Sequence, residues 1–185
     1  DFELLSREFA HTRRKNLLLR DLDELVNQQL AKMLFANPQR IDYYDRYQEI
    51  IDAYNAEQNR ATIEKTFMDL MELASSLDTE QQRYVREGFS SDEELSVYDL
   101  LFSENLTKQE IETIKKVSVD LLTKIKQQIA KLDHWTDKQE TKAIVDNLIR
   151  NTLWQELPNS YDVSDIQTYQ KKIYEYVYMR YPEVA

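Results

Sequence analysis

The chain contains a single glycine, Gly88, and three prolines among its 185 residues. β-Sheets depend on hairpin turns and bulges, and these use glycine, asparagine-glycine pairs and proline at defined positions. A chain with one glycine has almost nothing with which to build them. We therefore predict an all-α fold, a single compact domain of about eight helices over residues 1–185.

The scarcity of glycine also limits the chemistry. A GxxxxGK phosphate loop and a GxGxxG dinucleotide fingerprint each need more than one glycine, so both motifs are excluded. The absence of cysteine excludes a disulfide framework and a thiolate metal site. No nucleophile lies in a recognisable local motif with either histidine. The sequence therefore nominates no catalytic residue.

The charge and hydropathy of the chain limit the kinds of partner that it can have. The net charge of -10 argues against a surface that binds nucleic acid nonspecifically. Residues 11–20 nevertheless carry four basic residues and no acid. Such runs are usually solvated helix faces. With no apolar run of about 18 residues and no signal-peptide pattern, the chain is expected to lie in the cytoplasm and not in a membrane.

Residues 133–161 read as one helix with marked ends. Thr136 is the predicted N-cap, with Gln139 completing a capping box and Trp135 forming a hydrophobic staple outside it. Pro158 is expected to end the helix. Between them lies a wide apolar stripe, which predicts an interior helix. We expect Ile144, Leu148 and Trp154 in the core.

Other helices follow from the same signals. Apolar residues at spacings of three and four predict a first long helix with one buried face. Asn37 is the predicted N-cap of the next helix, and Pro38 takes its first position. Asp78 or Thr79 is expected to open a helix that ends at Gly88. The residues expected to be buried are Leu19, Leu22, Val26, Leu30 and Met33 in the first long helix, and Ile41, Tyr44, Tyr47, Ile51 and Tyr54 in the next. Capping boxes are predicted at Ser91 with Glu94, Thr107 with Glu110, and Ser164 with Gln167.

Glu8 and His11 form one Glu-x-x-His pair, the spacing that di-iron bundles use. Such sites need a second copy, but His134 has Lys131 three residues before it. No metal site is expected. A small all-α metalloenzyme with unrecognised carboxylates stays open as an alternative.

Twelve tyrosines occur in the chain, and five of them lie within residues 169–181. Tyr174, Tyr178 and Tyr181 recur at spacings of four and three, which places them on one side of the last helix. They either pack at the rim of the core or form a partner surface, where tyrosine is enriched.

Five segments occur in an order that resembles a known family. They are MLFANPQRIDYYDRYQEIIDAYN, REGFSSDEELSVYDLL, LTKQEIETIKKVSVDLL, TKAIVDNLIRNTLWQELPNSY and KKIYEYVYMRYP. Over residues 17–182 the chain resembles the C-terminal helical region of the restriction (motor) subunit of type I restriction-modification enzymes. The most specific landmarks are Asn37-Pro38 with Arg40, Tyr54-Asn55, Glu87-Gly88, residues 98–101, and Leu157-Pro158 with Tyr161.

The resemblance implies what the chain does. In that family the subunit cuts DNA with a nuclease domain and translocates it with ATP-driven motor domains, which use ATP and Mg. The C-terminal helical region attaches that motor to the methyltransferase core. This chain is accordingly expected to be a non-catalytic piece of a longer polypeptide with no cofactor of its own, which agrees with its start at Asp1 and not at a methionine.

The implied partners are the methyltransferase core and the preceding motor domains. Tyr174, Tyr178 and Tyr181 are the candidate partner contacts. Arg13, Arg14 and Lys15 are candidate phosphate contacts, although three charges provide little affinity for DNA at physiological salt. An unrelated cytoplasmic helical adaptor is the alternative function.

Overall fold

A computed structural model describes residues 2–183. Within that range the chain forms nine α-helices, one 3-10 helix and no strand. The all-α prediction is confirmed, with one helix more than the eight expected. The chain divides into two compact units, Asp1–Arg86 and Glu87–Ala185. A single domain over residues 1–185 stays a prediction.

The first unit is built around α4, which packs against both α2 and α3. The rings of Phe9 and Phe67 stack with their centroids 3.7 Å apart, which joins α1 to this core. The helices of this unit are α1 (Phe2–His11), α2 (Lys15–Ala36), the 3-10 helix Pro38–Arg40, α3 (Ile41–Ala56), α4 (Arg60–Gln81) and α5 (Arg83–Arg86).

The predicted face of the first long helix and the corner after it are confirmed. All five residues that were predicted to form this face are buried in α2. The buried Asn37 side chain accepts a hydrogen bond from the Gln39 amide at 3.1 Å. Pro38 opens the 3-10 turn that leads into α3. The corner therefore follows from local residue chemistry, since the cap satisfies a free amide and proline fixes the next φ.

The buried face of α3 is confirmed for its second half and wrong for its first two residues. Ile41 and Tyr44 are exposed, whereas Tyr47 is buried and Ile51 and Tyr54 are half-buried. Ile50, which was not predicted, is also buried. The fully buried residues of α3 are therefore Tyr47 and Ile50, and its first apolar residue, Ile41, lies outside the buried face.

The predicted helix start at Asp78 or Thr79 is wrong. α4 continues through both residues to Gln81, and the Thr79 hydroxyl donates to the Ser75 carbonyl at 3.1 Å. A threonine that bonds back to the preceding turn is compatible with a helix interior. Gly88 does take the left-handed conformation that was predicted, with φ +85°.

A buried ion-pair cluster lies inside the first unit. Glu80 accepts hydrogen bonds from Arg40 at 3.0 Å and from Arg83 at 2.8 Å. Arg40 is 4% exposed and Glu80 8% exposed. The Tyr43 hydroxyl lies 3.5 Å from the second carboxylate oxygen. This cluster joins the corner after α2 to the end of α4.

The second unit is a four-helix arrangement in the part that is described. α7 packs against α6 and α8, and α9 packs against α8 and α6. Its largest fully buried side chain is Trp135, in the connection between α7 and α8. The helices are α6 (Asp92–Leu101), α7 (Lys108–Ile129), α8 (Gln139–Glu156) and α9 (Val163–Arg180).

Of the four N-caps predicted for this unit, those at Ser91 and Thr107 are confirmed, and those at Thr136 and Ser164 are wrong. Thr107 and Glu110 form a reciprocal capping box at α7. Ser91 caps α6, although the Glu94 carboxylate reaches the amide of Ser90 and not that of the cap. The box predicted at Ser164 with Gln167 is wrong. Asp162 and Asp165 make it instead, two residues earlier.

The tryptophan helix begins and packs differently from the prediction. α8 starts at Gln139 after Lys138, which provides no side-chain cap, and Thr136 lies outside the helix. Ile144 is 43% exposed, Trp154 is 50% exposed and Leu148 is half-buried. The core side of α8 consists of Val145, Ile149, Thr152 and Leu153.

Helix geometry explains why Trp154 is not in the core of the second unit. At about 100° per residue, Trp154 lies about 140° around the helix from Ile149, so both cannot face the same core. The apolar stripe was wide, but α8 buries only part of it. The helix ends at Glu156, just before Pro158, as predicted.

No helix in residues 2–183 is long and apolar enough to cross a membrane.

Candidate partner-binding surface

Trp135 organises one end of the second unit. Its indole is fully buried, and Nε1 donates a 2.7 Å hydrogen bond to the backbone carbonyl of Tyr181. The Thr141 hydroxyl donates to the Trp135 carbonyl, also at 2.7 Å. Trp135 therefore links the start of α8 to the end of α9. The local sequence predicts Trp135 as a hydrophobic staple outside the helix, and its spacing gives no signal for the fully buried position.

Two of the three predicted contact tyrosines surround this indole. Tyr174 and Tyr178 meet Trp135 edge-on, with ring centroids at 6.1 and 5.7 Å. Tyr174 is half-buried and Tyr178 is 36% exposed. Burial raises the pKa of Tyr174, and the nearby Asp146 carboxylate adds to the effect. Both rings are thus held in place by a rigid buried neighbour.

Tyr181 does not belong to the same exposed row. It is 8% exposed and packs edge-on against Tyr176, with centroids 6.2 Å apart. Burial raises its pKa, with Tyr176 and Glu93 adding to the shift. Its side chain lies inside the second unit, so we remove it from the contact surface.

A charged cluster beside Tyr181 fixes α6 to α7 and α9. Lys126 forms an ion pair with Glu93, and Arg180 lies 3.7 Å from the same carboxylate. Burial of Glu93 opposes ionisation, but the hydrogen bond and charge of Lys126 outweigh it, and the pKa of the carboxyl is lowered. The Lys126 ammonium also lies 5.2 Å from the Tyr181 ring centroid.

A groove runs between α8 and α9 next to the tyrosine pair. It has a volume of about 490 Å³. Tyr174 forms one wall, and Lys142 and Lys171 lie along its sides. The Asp146 carboxylate on its lining accepts a 2.9 Å hydrogen bond from Gln170. Sequence periodicity had no signal for this groove, since it is formed by the polar faces of two helices.

The basic candidates lie in the first unit, at the start of α2. Arg13 and Arg14 are exposed. Lys15 is held by Glu64 at 2.8 Å and lies 4.9 Å from the Phe9 ring centroid. Hydrogen bonds from Lys15 and Arg60 lower the pKa of Glu64. Lys15 therefore contributes to the fold, and two free cations remain for any phosphate contact.

The residues considered for metal binding are not brought together. Glu8 and His11 lie on α1 beside a shallow surface groove. His134 lies beside Asp133 and Glu183 in the second unit. In the described part of the chain, no group of three or more His, Cys, Asp or Glu side chains is placed to hold a metal ion.

A known protein family covers almost the whole chain. The model described as "Type I restriction enzyme HindI endonuclease subunit-like, C-terminal" matches residues 1–181. The chain belongs to this family. Nothing matched among the curated proteins or among the solved structures.

Two landmarks behind the family resemblance meet in space. The Tyr161 hydroxyl donates a 2.6 Å hydrogen bond to the Leu101 carbonyl. Two others are held by side chains of this HindI-like chain, since Arg40 is paired with Glu80 and the Glu87 carbonyl accepts from Lys115 at 2.9 Å. These landmark residues therefore make contacts within the fold. They do not indicate which exposed residues contact a partner.

Proposed function

We propose that this chain is a non-catalytic helical region that docks an ATP-dependent, DNA-translocating and DNA-cleaving subunit onto the methyltransferase core of a type I restriction complex. Membership of a restriction endonuclease subunit family supports this assignment. One observation carries the choice of surface, namely Tyr174 and Tyr178 held edge-on by the buried Trp135.

The physical case for this surface rests on rigidity. A tyrosine whose neighbours already fix its ring loses little conformational freedom when a partner covers it. It still offers a large apolar area and a hydroxyl for hydrogen bonding. Tyr178 and the adjacent Met179 are both exposed at this end of α9. An exposed patch of this kind is more typical of a protein interface than of a helix face that only contacts solvent.

The non-catalytic role is part of the same proposal. The single glycine excludes the two nucleotide loops, and the chain has no cysteine nucleophile. ATP and Mg would act in the motor domains of the parent subunit. The chain is expected to have no ATPase, nuclease or methyltransferase activity when it is assayed alone.

A binding measurement tests the docking role. We would measure the Kd of the chain for the assembled methyltransferase, for the parent and for a Tyr174→Ala, Tyr178→Ala double variant. A hot spot of about 2 kcal/mol corresponds to a loss of about 30-fold. A Tyr44→Ala, Tyr84→Ala double variant of the first unit is the matched control, and circular dichroism verifies that each variant is folded.

Each outcome has a defined meaning. Failure of a folded parent chain to bind the methyltransferase would reject the docking role. Equal binding by the parent and the Tyr174, Tyr178 variant would keep the role and reject the surface. Equal losses in the variant and in its control would also reject the surface.

An unrelated adaptor and a metalloenzyme are the two alternative functions. Family membership decides against an adaptor with no link to restriction enzymes. A metalloenzyme would retain a stoichiometric metal ion after purification, which elemental analysis of the purified chain measures.

A further inference from the structure

We propose that the groove between α8 and α9 binds an acidic segment of the methyltransferase core through Lys142 and Lys171. This inference rests on the proposed docking function and deepens it, because it names the chemistry of the partner. It also moves the centre of the contact from the tyrosine pair alone to the groove beside it.

The groove has the shape for a chain segment. Its volume is about 490 Å³, and it lies open along two neighbouring helices. Ala143 lies on its α8 side, where a small side chain lets another backbone approach. Gln139 and Gln167 line it as well and provide amide donors and acceptors for that backbone.

The charges of the groove are unbalanced. Lys142 is half-buried and makes no ion pair with any carboxylate of residues 2–183, and its ammonium lies 5.9 Å from the Tyr178 ring centroid. Lys171 comes no closer than 3.9 Å to Glu175, and its side chain is 78% exposed. The carboxylate of Asp146 is already engaged by Gln170. Lys142 therefore faces the groove without an ion pair, whereas Lys171 forms only a long, solvent-exposed pair with Glu175.

This arrangement favours an acidic protein segment as the occupant. In a chain with a net charge of -10, the groove lining carries two lysines, Lys142 and Lys171, against one carboxylate, that of Asp146. Two lysines give little affinity for a nucleic-acid backbone at physiological salt, because that affinity grows with the number of phosphates neutralised. They are sufficient to orient a peptide carboxylate, since charge complementarity fixes register and partner choice.

Charge reversal tests the groove directly. A Lys142→Glu, Lys171→Glu variant is compared with a Lys32→Glu, Lys108→Glu variant, in which two exposed lysines of α2 and α7 undergo the same change in charge. We expect the groove variant to bind the assembled methyltransferase about 10- to 100-fold more weakly than the parent, because repulsion replaces attraction. The control should bind nearly as tightly as the parent, because exposed charges farther than about 8 Å from the contact are largely screened at physiological salt.

A zero-length crosslink tests the chemistry of the occupant. A water-soluble carbodiimide joins an amine to a carboxylate only when the two are in contact. In the DNA-free complex, Lys142 or Lys171 should be joined to an aspartate or glutamate of the methyltransferase, as identified by mass spectrometry of the crosslinked peptides.

The outcomes separate this inference from the proposed function. If the groove variant binds the methyltransferase as tightly as the parent does, the groove is not the binding site, and the docking role stays intact. A folded parent that does not bind the methyltransferase overturns both. Crosslinks from these two lysines only to a second copy of the chain, or a defect of the groove variant only in binding to duplex DNA, would also overturn the inference.

Discussion

The hydroxyl of Tyr161 donates a hydrogen bond to the backbone carbonyl of Leu101 across 60 residues of chain, with an oxygen-oxygen distance of 2.6 Å. Leu101 is the last residue of α6, and carbonyls of a final helical turn have no partner inside their helix. Burial raises the pKa of Tyr161, so the hydroxyl keeps its proton and acts as the donor. The contact ties the segment after α8 to the end of α6.

Tyr161→Phe should therefore destabilise the chain. The substitution leaves the ring in place but removes the donor from a buried carbonyl, which costs about 1–3 kcal/mol. Urea unfolding followed by circular dichroism measures this change. Tyr169→Phe is the control, because the Tyr169 ring packs 5.5 Å from Tyr161 but is only half-buried. Equal effects of the two variants would contradict the assignment.

The two tryptophans should respond in opposite ways to truncation. Trp135→Ala removes a fully buried indole and its hydrogen bond, and we expect a loss of about 3–5 kcal/mol in the free energy of unfolding. Trp154→Ala removes a half-exposed ring and should cost within about 0.5 kcal/mol, the usual range for surface positions. A larger loss for Trp154 than for Trp135 would reverse this assignment.

Fluorescence provides a second measurement of the same difference. In a Trp154→Phe variant the emission comes from the buried Trp135, so it should be blue-shifted and resist quenching by acrylamide.

Two glutamates of α4 provide a matched comparison of ion pairs. Glu80 and Glu72 each accept a 3.0 Å hydrogen bond from an arginine, but only the pair with Arg40 is buried. Glu80→Ala leaves the buried Arg40 without this carboxylate and should cost about 3–5 kcal/mol. Glu72→Ala should cost about 0–1 kcal/mol, because its pair with Arg46 is solvated. Thermal or urea unfolding of both variants measures the difference, and similar costs would show that burial of the Arg40 pair has little effect.

The N-cap of α9 is testable by a pair of substitutions. Asp162 accepts a 2.8 Å hydrogen bond from the Asp165 amide, whereas Ser164 lies inside the helix. Asp162→Ala should reduce stability by about 0.5–2 kcal/mol. Ser164→Ala should have little effect or a slightly favourable one, since alanine has the higher helix propensity. The opposite order of stabilities would restore Ser164 as the cap.

Stability should depend on pH through Glu93. Its pKa is lowered in the folded chain, so the contribution of its ionised form is present above the unfolded pKa of about 4.3 and is lost as the pH falls through the folded value. Glu93→Gln should therefore be less stable than the parent at pH 7. The two free energies of unfolding should converge at acid pH. A difference that stayed constant from pH 7 to pH 3 would exclude this linkage.

Local signals predicted much of the architecture because they act over one or two turns. The buried face of α2, the corner at Asn37 and Pro38, the left-handed Gly88 and the box of Thr107 each depend on residues close in sequence. The Asp162 box escaped notice because its third helical residue is Asp165, whereas the common pattern has glutamate or glutamine there.

The errors arise where the outcome depends on distant residues. Periodicity gave the apolar stripe of α8, but only packing against α7 and α9 decides that Ile149 is buried and Trp154 is not. The position of Trp135 depends on Tyr181, and the groove at Lys142 requires two helices to meet. No spacing within one helix contains this information.

The hydrogen bond from Trp135 to Tyr181 also affects the order of events during synthesis. The two residues are 46 positions apart. At about 5–20 residues per second, a ribosome delivers Tyr181 roughly 2–9 s after Trp135. Tyr174 and Tyr178, whose rings cover the indole, are added only shortly before Tyr181, so for most of those seconds the indole has neither these rings nor its acceptor. The nascent second unit therefore exposes its largest apolar side chain for longer than most small domains need to fold, and a chaperone that binds aromatic segments would find it in that interval.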